Sequence, residues 1–524
     1  MSERIALVQP HIAAGRSLGI EKSPASIQTL AAQLEGESHE VRMFHEKVSD
    51  ELIQNLMEFD PRVVGISTMT VNFPEGRKLA EAIKSERENI IIVIGGWHAS
   101  GCVQAYLKGQ ERETLEEIVS SGSPFNYLIE GEGEIAMSEL VRRISAGEKP
   151  DDIKGLVFMG DNGIRINAAE RIKDLNVLRD PSWNGLQIDN YRDKRSGALD
   201  LSCHFNRACR FNCGFCPTPT LYGRGVRRFS PQRAVGQIES LLTRYKPEVI
   251  TFTDEDFFAS TKWVEELVEL LEKRDLHGKY GIEFDTFASI NDLRQFEIQG
   301  RGELLDRMHR AGFNSFTVGI ESFNPQVLRS FNKEKMIHLT MTDDQRLLYK
   351  NLSKQEQDKM LVDHYFECVQ SAIIFAQRHR ILIIGDYIFG NLGESEEEVR
   401  EGFKKFSNLR DLHIAYLPIF TPFPGTKLWK EAYESGRLIR NKAGKIDWTR
   451  FDTSAGAMDI GYNMGKIRNE LELEFYTSER YHKDMKKAIQ TESAKIELFR
   501  SRFNYLSSLY PENKLIGDRL AGLK

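Results

Sequence analysis

Cysteine is scarce in this chain, with six among 524 residues. That scarcity, together with a polar Met1–Arg4 and a first apolar run, Ile5–Val8, too short for a secretory signal, excludes a disulfide-built extracellular scaffold. A reducing, cytoplasmic location is therefore expected. No apolar run approaches the roughly 20 residues that a membrane span needs. No long basic run is present and the net charge is −6, which argues against nucleic acid as the main partner. Also missing is any G-x-G-x-x-G after the first strand-like run, so the dinucleotide fingerprint of NAD and FAD sites is absent.

What is present is a long α/β chain. With 40% apolar and 28% charged residues it has the composition of a soluble globular protein, and its length calls for two or three domains. In residues 1–148, short runs rich in Val and Ile (Ile5–Gln9, Glu40–Phe44, Val63–Thr68, Ile90–Ile94, Tyr127–Ile129) alternate with helical patterns. This order predicts a Rossmann-like, doubly wound domain with a parallel sheet covered on both faces. Ligands of such sheets sit at the carboxyl ends of the strands, which here carry Ser67, Thr68, Gly95, Gly96, Trp97, His98, Gly131 and Glu132. Residues 149–198, with Pro150, Pro181 and a short hairpin signal around a DNG turn, read as a linker. Residues 199–430 hold six further strand–helix units, fitting a partial (β/α)6 barrel, interrupted by a polar helix-forming insertion at about 334–362. Residues 431–524 form a mostly helical C-terminal region. It includes a long helical pattern at Asn469–Tyr505 whose Phe475, Tyr476, Tyr481, Phe499 and Phe503 suit a face packed back on the barrel.

Four of the six cysteines lie in Leu201–Pro217, LSCHFNRACRFNCGFCP. Cys209, Cys213 and Cys216 have the spacing C-x-x-x-C-x-x-C. Three thiolates on one loop can hold three corners of an iron–sulfur cube and leave one iron open for chemistry. Zinc is the alternative, with Cys203 or His204 as fourth ligand, but the second close cysteine pair usual in structural zinc sites is absent. Cys203 itself reads as a buried strand residue, and Cys102 and Cys368 as packing cysteines.

The three-cysteine spacing, with Phe215 before the last cysteine, resembles the signature of the radical SAM enzymes. The GGWHAS and EGEGE segments, each after a strand, resemble the cobalamin-binding domain that precedes the radical SAM domain in one large subgroup. FTDEDFF, VGIES, IFGNLGES and TPFPGT follow in the order seen in that subgroup, so the resemblance covers roughly residues 1–430. It implies a 4Fe-4S cluster on Cys209, Cys213 and Cys216, with S-adenosyl-L-methionine on the open iron and cobalamin on the first domain. It also implies a flavodoxin- or ferredoxin-type electron donor. For S-adenosylmethionine the candidates are Phe215, Asp254, Asp256, Glu321, Ser322 and Gly390; Ser395 and Glu394 suit helix capping instead. The cobalamin candidates are the eight residues at the first sheet's edge. His98 suits a loop-shaping role, since the D-x-H-x-x-G motif of a cobalt-ligating histidine is not found and His45 in FHEKVSD does not match it. The activity implied is methylation of an unactivated carbon of a small molecule. Cyclising, dehydrogenating or ring-rearranging relatives share the architecture and stand as the alternative. A second-cluster enzyme is excluded because residues 1–150 hold only Cys102.

Overall fold

The computed structural model describes residues 2–11, 22–193, 196–491 and 495–523. Among them two large sheets form. The first comprises β1 (Arg4–Val8), β2 (Glu40–Phe44), β3 (Val63–Ser67), β4 (Ile91–Gly95), β5 (Tyr127–Ile129), β6 (Leu156–Gly160) and β7 (Gly163–Ile166). Their order is β2-β1-β3-β4-β5-β6-β7. The first five strands are parallel, and β6 and β7 add antiparallel. Alternation along β1 explains the two cores. Ile5 and Leu7 pack with the helices Ala25–Gly36 and Gly133–Ala146, whereas Ala6 and Val8 pack with Asp50–Phe59, Phe73–Glu86 and Trp97–Leu107. The chain reverses its direction of winding between β1 and β3, the switch point at which such sheets bind ligands.

The hairpin expected in the linker is real, but it is not a linker element. β6 pairs with β5 through Leu128 opposite Val157, so the hairpin extends the first sheet. The 3-residue β5 would otherwise have been an exposed edge, and the antiparallel hairpin covers it.

The second sheet contains β8 (Asp200–Cys203), β11 (Val249–Phe252), β12 (Glu283–Ala288), β13 (Phe313–Glu321), β14 (Leu382–Tyr387) and β15 (Ile414–Tyr416), all parallel and in chain order. Between β8 and β11, β9 (Asn206–Arg207) and β10 (Arg227–Arg228) form a small ribbon. The six-stranded sheet ends at β8 and β15 without closing, as a partial barrel does. In the insertion, Thr342 caps the helix Asp343–Asn351 through a reciprocal bond with Gln345, and Ser353 starts the helix Lys354–Arg378.

The open edge at β15 is covered by the C-terminal helices. The expected single helix is split at Ser478, whose hydroxyl donates to the Phe475 carbonyl and accepts from the Tyr481 amide. This gives the helices Met464–Thr477, Glu479–Thr491 and Lys495–Leu509; residues 492–494 of the expected helix lie outside the described residues. The Tyr476 hydroxyl accepts from Ala415 N at 3.0 Å and donates to Ala415 O at 3.2 Å, and the Tyr481 hydroxyl donates to His413 O at 3.0 Å. Side chains thus satisfy backbone groups that a seventh strand would have paired. Phe475, Phe499 and Phe503 pack in the barrel's core, as the helical pattern predicts.

Residues 422–460 run back over the first domain. Lys108 Nζ donates to Gly425 O at 2.7 Å, Gln110 Nε2 to Thr426 O at 3.1 Å, and Trp448 Nε1 to Glu117 at 3.1 Å. Trp429, Trp448 and Phe451 join the first domain's core rather than the barrel's. No helix among the described residues is long and apolar enough to cross a membrane.

Candidate functional site

The carboxyl ends of the two sheets enclose one cavity of about 930 Å³, at the upper end of the size range of ligand pockets. Its first wall is Ser67 and Met69 after β3, Gly95, Gly96 and Trp97 after β4, and Gly131 to Glu134 after β5. Its second wall is Ser202, Cys203, His204 and Arg207 from the start of the barrel, with Tyr222, Thr253 and Glu255. The first wall is built from backbone. Gly96 has φ +92°, and a Cβ there would lie 2.7 Å from the Thr68 carbonyl oxygen. Gly131 has φ +79°. Glycine permits both conformations and keeps these two turns free of side chains, as the approach of a broad planar ligand requires.

Two of the eight residues proposed for this wall fall elsewhere. Thr68 is 1% exposed and its methyl group faces Gly76 on the next helix. His98 is not in a loop. Gly96 caps the helix Trp97–Leu107, and the roughly 100° turn per residue that places Trp97 on the cavity carries His98 into the core. There its ring stacks on Phe73 at 4.0 Å and meets the edge of Trp448 at 4.6 Å. Burial pushes its pKa down to about 3, so the ring is neutral. Glu132 does line the cavity, but its oxygens are taken by Arg207 at 2.7 Å, Arg227 at 2.6 Å and the Ile172 amide at 3.0 Å. With Glu134, also bonded to Arg207, it forms a buried ion cluster that ties the EGEGE turn to the strand leading into the three-cysteine loop.

That loop leaves β9 and is fixed by backbone contacts. Gly214 N donates to Phe331 O at 3.1 Å, and Leu428 N donates to Gly214 O at 3.2 Å. A Cβ at Gly214 would lie 2.5 Å from Ser330 O, so only glycine fits between the cysteines at this point. The Cys209, Cys213 and Cys216 thiols are partly exposed and unpaired by disulfides. Burial raises the pKa of each, that of Cys216 to about 11. Among the described residues no three His, Cys, Asp or Glu side chains are gathered as closely as one ion requires. Three thiols on one loop suit a cube, each at its own iron with one iron left open.

The barrel residues proposed from sequence divide in two. Asp256 and Glu321 lie against the three-cysteine loop. Asp256 accepts from Arg210 N at 3.1 Å and sits 3.7 Å from the Cys209 sulfur. Glu321, at φ +70°, pairs with buried Lys333 at 2.9 Å. Lys333 in turn lies 6.0 Å over the Phe215 ring, while Phe215 packs on Phe331 at 4.7 Å. The other three hold the framework. Asp254 accepts from the Phe205 and Asn206 amides at 2.6 and 2.7 Å, bracing the turn after β8, and burial pushes its pKa up to about 7. Ser322 is fully buried and its hydroxyl accepts from Asn324 N. Gly390 donates to Glu394, and a Cβ there would lie 2.6 Å from the Met464 sulfur. These bonds brace the turns that follow the strands, where short loops leave backbone amides in need of an acceptor. Ser395 caps the next helix as expected, through a capping box with Glu398, whereas Glu394 accepts from the Gly390 and Asn391 amides of the loop before it.

Sequence reasoning missed Lys333 and Arg207 as site residues, weighed His204 only as a fourth zinc ligand, and had Glu255 only as part of FTDEDFF. Alternation carried a signal for two of them. Ser202 and His204 share one face at the end of β8, as do Thr253 and Glu255 after the neighbouring β11, with Thr251 in register with Ser202.

The fold and the loop define a class: a corrin-type α/β domain closing over a partial barrel that presents a three-cysteine loop. Comparison with known proteins gives the same answer. The B12 binding domain family model matches residues 13–141, and the Radical SAM superfamily model matches residues 204–341. An uncharacterized methyltransferase of Pyrococcus horikoshii is 24% identical over 93% of this chain and 91% of its own. The anaerobic magnesium-protoporphyrin IX monomethyl ester cyclase of Rubrivivax gelatinosus is 23% identical, over 82% of this chain and 70% of its own. Among solved structures, OxsB, a cobalamin-dependent S-adenosylmethionine radical enzyme with aqua-cobalamin and S-adenosylmethionine bound, superposes with a TM-score of 0.65 at 17% identity. The match covers 98% of this chain and 74% of that one. The chain is a cobalamin-binding-domain-containing radical SAM protein. Its cofactors are a 4Fe-4S cluster, S-adenosylmethionine and cobalamin.

Proposed function

We propose that this protein methylates an unactivated carbon of a small-molecule substrate inside the cavity between its two sheets. The observation that carries the reading is the shared cavity: the glycine edge of the first sheet and the entrance of the three-cysteine loop face each other across it. When bound, the cofactors supply a 5'-deoxyadenosyl radical and a transferable methyl group, and the protein supplies placement and water exclusion. Cys209, Cys213 and Cys216 hold the cluster, and Glu321, Lys333 and Asp256 border it. Lys333 is a buried cation beside the loop, suited to a carboxylate, while Glu321 and Asp256 suit the ammonium and hydroxyl groups of S-adenosylmethionine. Ser67, Gly95, Gly96, Trp97 and Gly131 bed the corrin, with Glu132 fixing the last turn. The Arg207–Glu132–Glu134 cluster keeps the two walls in register, and the strap at 422–460 fastens the barrel's end to the first domain. A flavodoxin- or ferredoxin-type donor in the cytoplasm supplies the electron.

The cyclase relative supports a second reading, ring closure or dehydrogenation without net methyl transfer. An anaerobic assay of the reconstituted, cobalamin-loaded protein with a reductant separates the two. Accumulation of both 5'-deoxyadenosine and S-adenosylhomocysteine supports methylation. 5'-Deoxyadenosine alone favours the second reading, and neither product with an intact cluster contradicts both.

A further inference from the structure

The strands of the barrel have two unlike faces. Leu201, Ile250, Phe284, Phe316 and Ile383 point at the surrounding helices and are buried in the barrel's core. Alternation turns their neighbours into the lumen, where a β/α barrel ordinarily stacks Val, Ile and Leu. Here the floor of the lumen is polar. Thr251, Asp285 and Ser315 lie side by side in register on β11, β12 and β13, and the Thr251 hydroxyl donates to Asp200 of β8 at 2.9 Å. The first domain adds Lys22, whose ammonium donates to Asp200 and, at 2.8 Å, to the Thr251 hydroxyl. Lys22, Ser202 and Thr253 also line the cavity between the sheets, so the lumen adjoins it.

One member of this floor is incomplete. Asp285 accepts from the Ser315 hydroxyl at 2.6 Å on Oδ1, and among the described residues nothing bonds its Oδ2. The side chain is partly exposed, and Oδ2 is not sealed from solvent. Two carboxylates thus meet one ammonium, which Asp200 and Thr251 already share. Burial, with Asp200 and Glu283 adding to it, raises the Asp285 pKa to about 6 against the opposing effects of Ser315 and Lys22. One layer nearer the carboxyl ends, about 7 Å on, Phe287 points into the same lumen. It stands in register with Thr317 and is 43% exposed. A half-bonded carboxylate beneath an exposed phenyl ring, inside a barrel, is built for recognition rather than for packing.

We propose that Asp285 and Phe287 form the subsite for the far end of the substrate, and that the substrate carries a cationic amine beside an apolar body about the size of a ring. This inference rests on the reading above that a small molecule reacts at this cavity, and it names the chemical class of that molecule. The amine takes Asp285 Oδ2 and completes the charge of the floor, and the apolar body lies against Phe287. From Ser315, beside Asp285, to Glu321, beside the three-cysteine loop, β13 climbs about 20 Å. A molecule held at the floor by its amine therefore turns its other end toward the loop. A pure hydrocarbon would leave the carboxylate uncompensated.

The test titrates the full-length, cluster-reconstituted protein by calorimetry, with S-adenosylmethionine present and no reductant. The probes are phenethylammonium, its neutral analogue phenethyl alcohol, and the anion phenylacetate. The ammonium is expected to bind at least about tenfold more tightly than the alcohol, the worth of one hydrogen bond to a charged group. Asp285→Asn, which still offers Ser315 an acceptor, is expected to erase that preference and leave the alcohol's affinity unchanged. Phe287→Ala is expected to weaken both probes alike. Matching cluster absorbance and thermal unfolding show that each variant is folded. Equal affinity for ammonium and alcohol in the unaltered protein, no binding of either, or a preference that survives in Asp285→Asn overturns the proposal. Tighter binding of phenylacetate also overturns it and assigns the floor to Lys22. The titration involves no methyl transfer, so its failure is distinct from failure of the methylation reading, which the product assay above decides.

Discussion

The two sheets present opposite kinds of edge to the same cavity. The first makes its edge largely from backbone at Gly95, Gly96 and Gly131, with Ser67 and Trp97 beside them. The barrel makes its edge from charged residues that also carry structural bonds. Asp254 braces a turn, Asp256 holds Arg210, and Glu321 holds Lys333. An edge of backbone yields room, and an edge of carboxylates yields a fixed loop. The difference teaches that acidic residues at the mouth of a barrel also serve as scaffold for the three-cysteine loop, as the bonds of Asp254 and Asp256 show.

The largest effect expected from breaking this contrast is at the joint between the walls. Arg207→Ala leaves Glu134 buried without its cation and Glu132 with Arg227 alone, at a cost of about 3–5 kcal/mol. Denaturant unfolding measures it, and a loss below about 1 kcal/mol would mean that the two walls are not coupled there. Next is Gly96→Ala, which places a Cβ against the Thr68 carbonyl at positive φ. We expect cobalamin affinity to fall at least about tenfold by equilibrium titration, while the cluster stays intact.

His98 sharpens the comparison through pH. Its folded pKa lies near 3, below that of the unfolded chain. Below about pH 6.5 the unfolded state binds a proton that the folded state refuses, so this residue's stabilising contribution is full above that pH and lost as pH falls toward 3. The slope is at most about 1.4 kcal/mol per pH unit. His98→Leu should remove that slope from the stability–pH curve and leave the spectrum of bound cobalamin unchanged. A changed spectrum would return His98 to the cobalt. The smallest effect expected is at Tyr476→Phe, which strips the Ala415 backbone of its partner and should cost about 1 kcal/mol by thermal unfolding.

Much of this arrangement was legible in the sequence, for physical reasons. The continuous Val and Ile runs of β1, β3 and β4 can only be strands buried on both faces, and they fall within a residue of the expected bounds. The cysteine spacing is local and needs no fold to be read. What was hidden was long-range. Nothing in GGWHAS says that a helix begins at Trp97 and turns His98 inward, because Gly96 as its cap is defined only by the Thr68 carbonyl beside it. Nothing in EGEGE says that Glu132 and Glu134 belong to Arg207 and Arg227, whose positions are set by a hairpin in the other domain. The strap's Trp448 reads as a turn residue until the His98–Phe73 pair appears beneath it. Charge partners and edge coverage are properties of the assembled sheets, whereas strand identity is a property of the segment.

The central claim is that the two edges hold two separate cofactors in one cavity. The most direct test is Cys213→Ala, reconstituted anaerobically and assayed for iron, cobalamin and 5'-deoxyadenosine. The account predicts cobalamin retained in full, the cluster lost or unreactive, and no 5'-deoxyadenosine above background. Loss of cobalamin together with the cluster, or continued cleavage of S-adenosylmethionine, would contradict it.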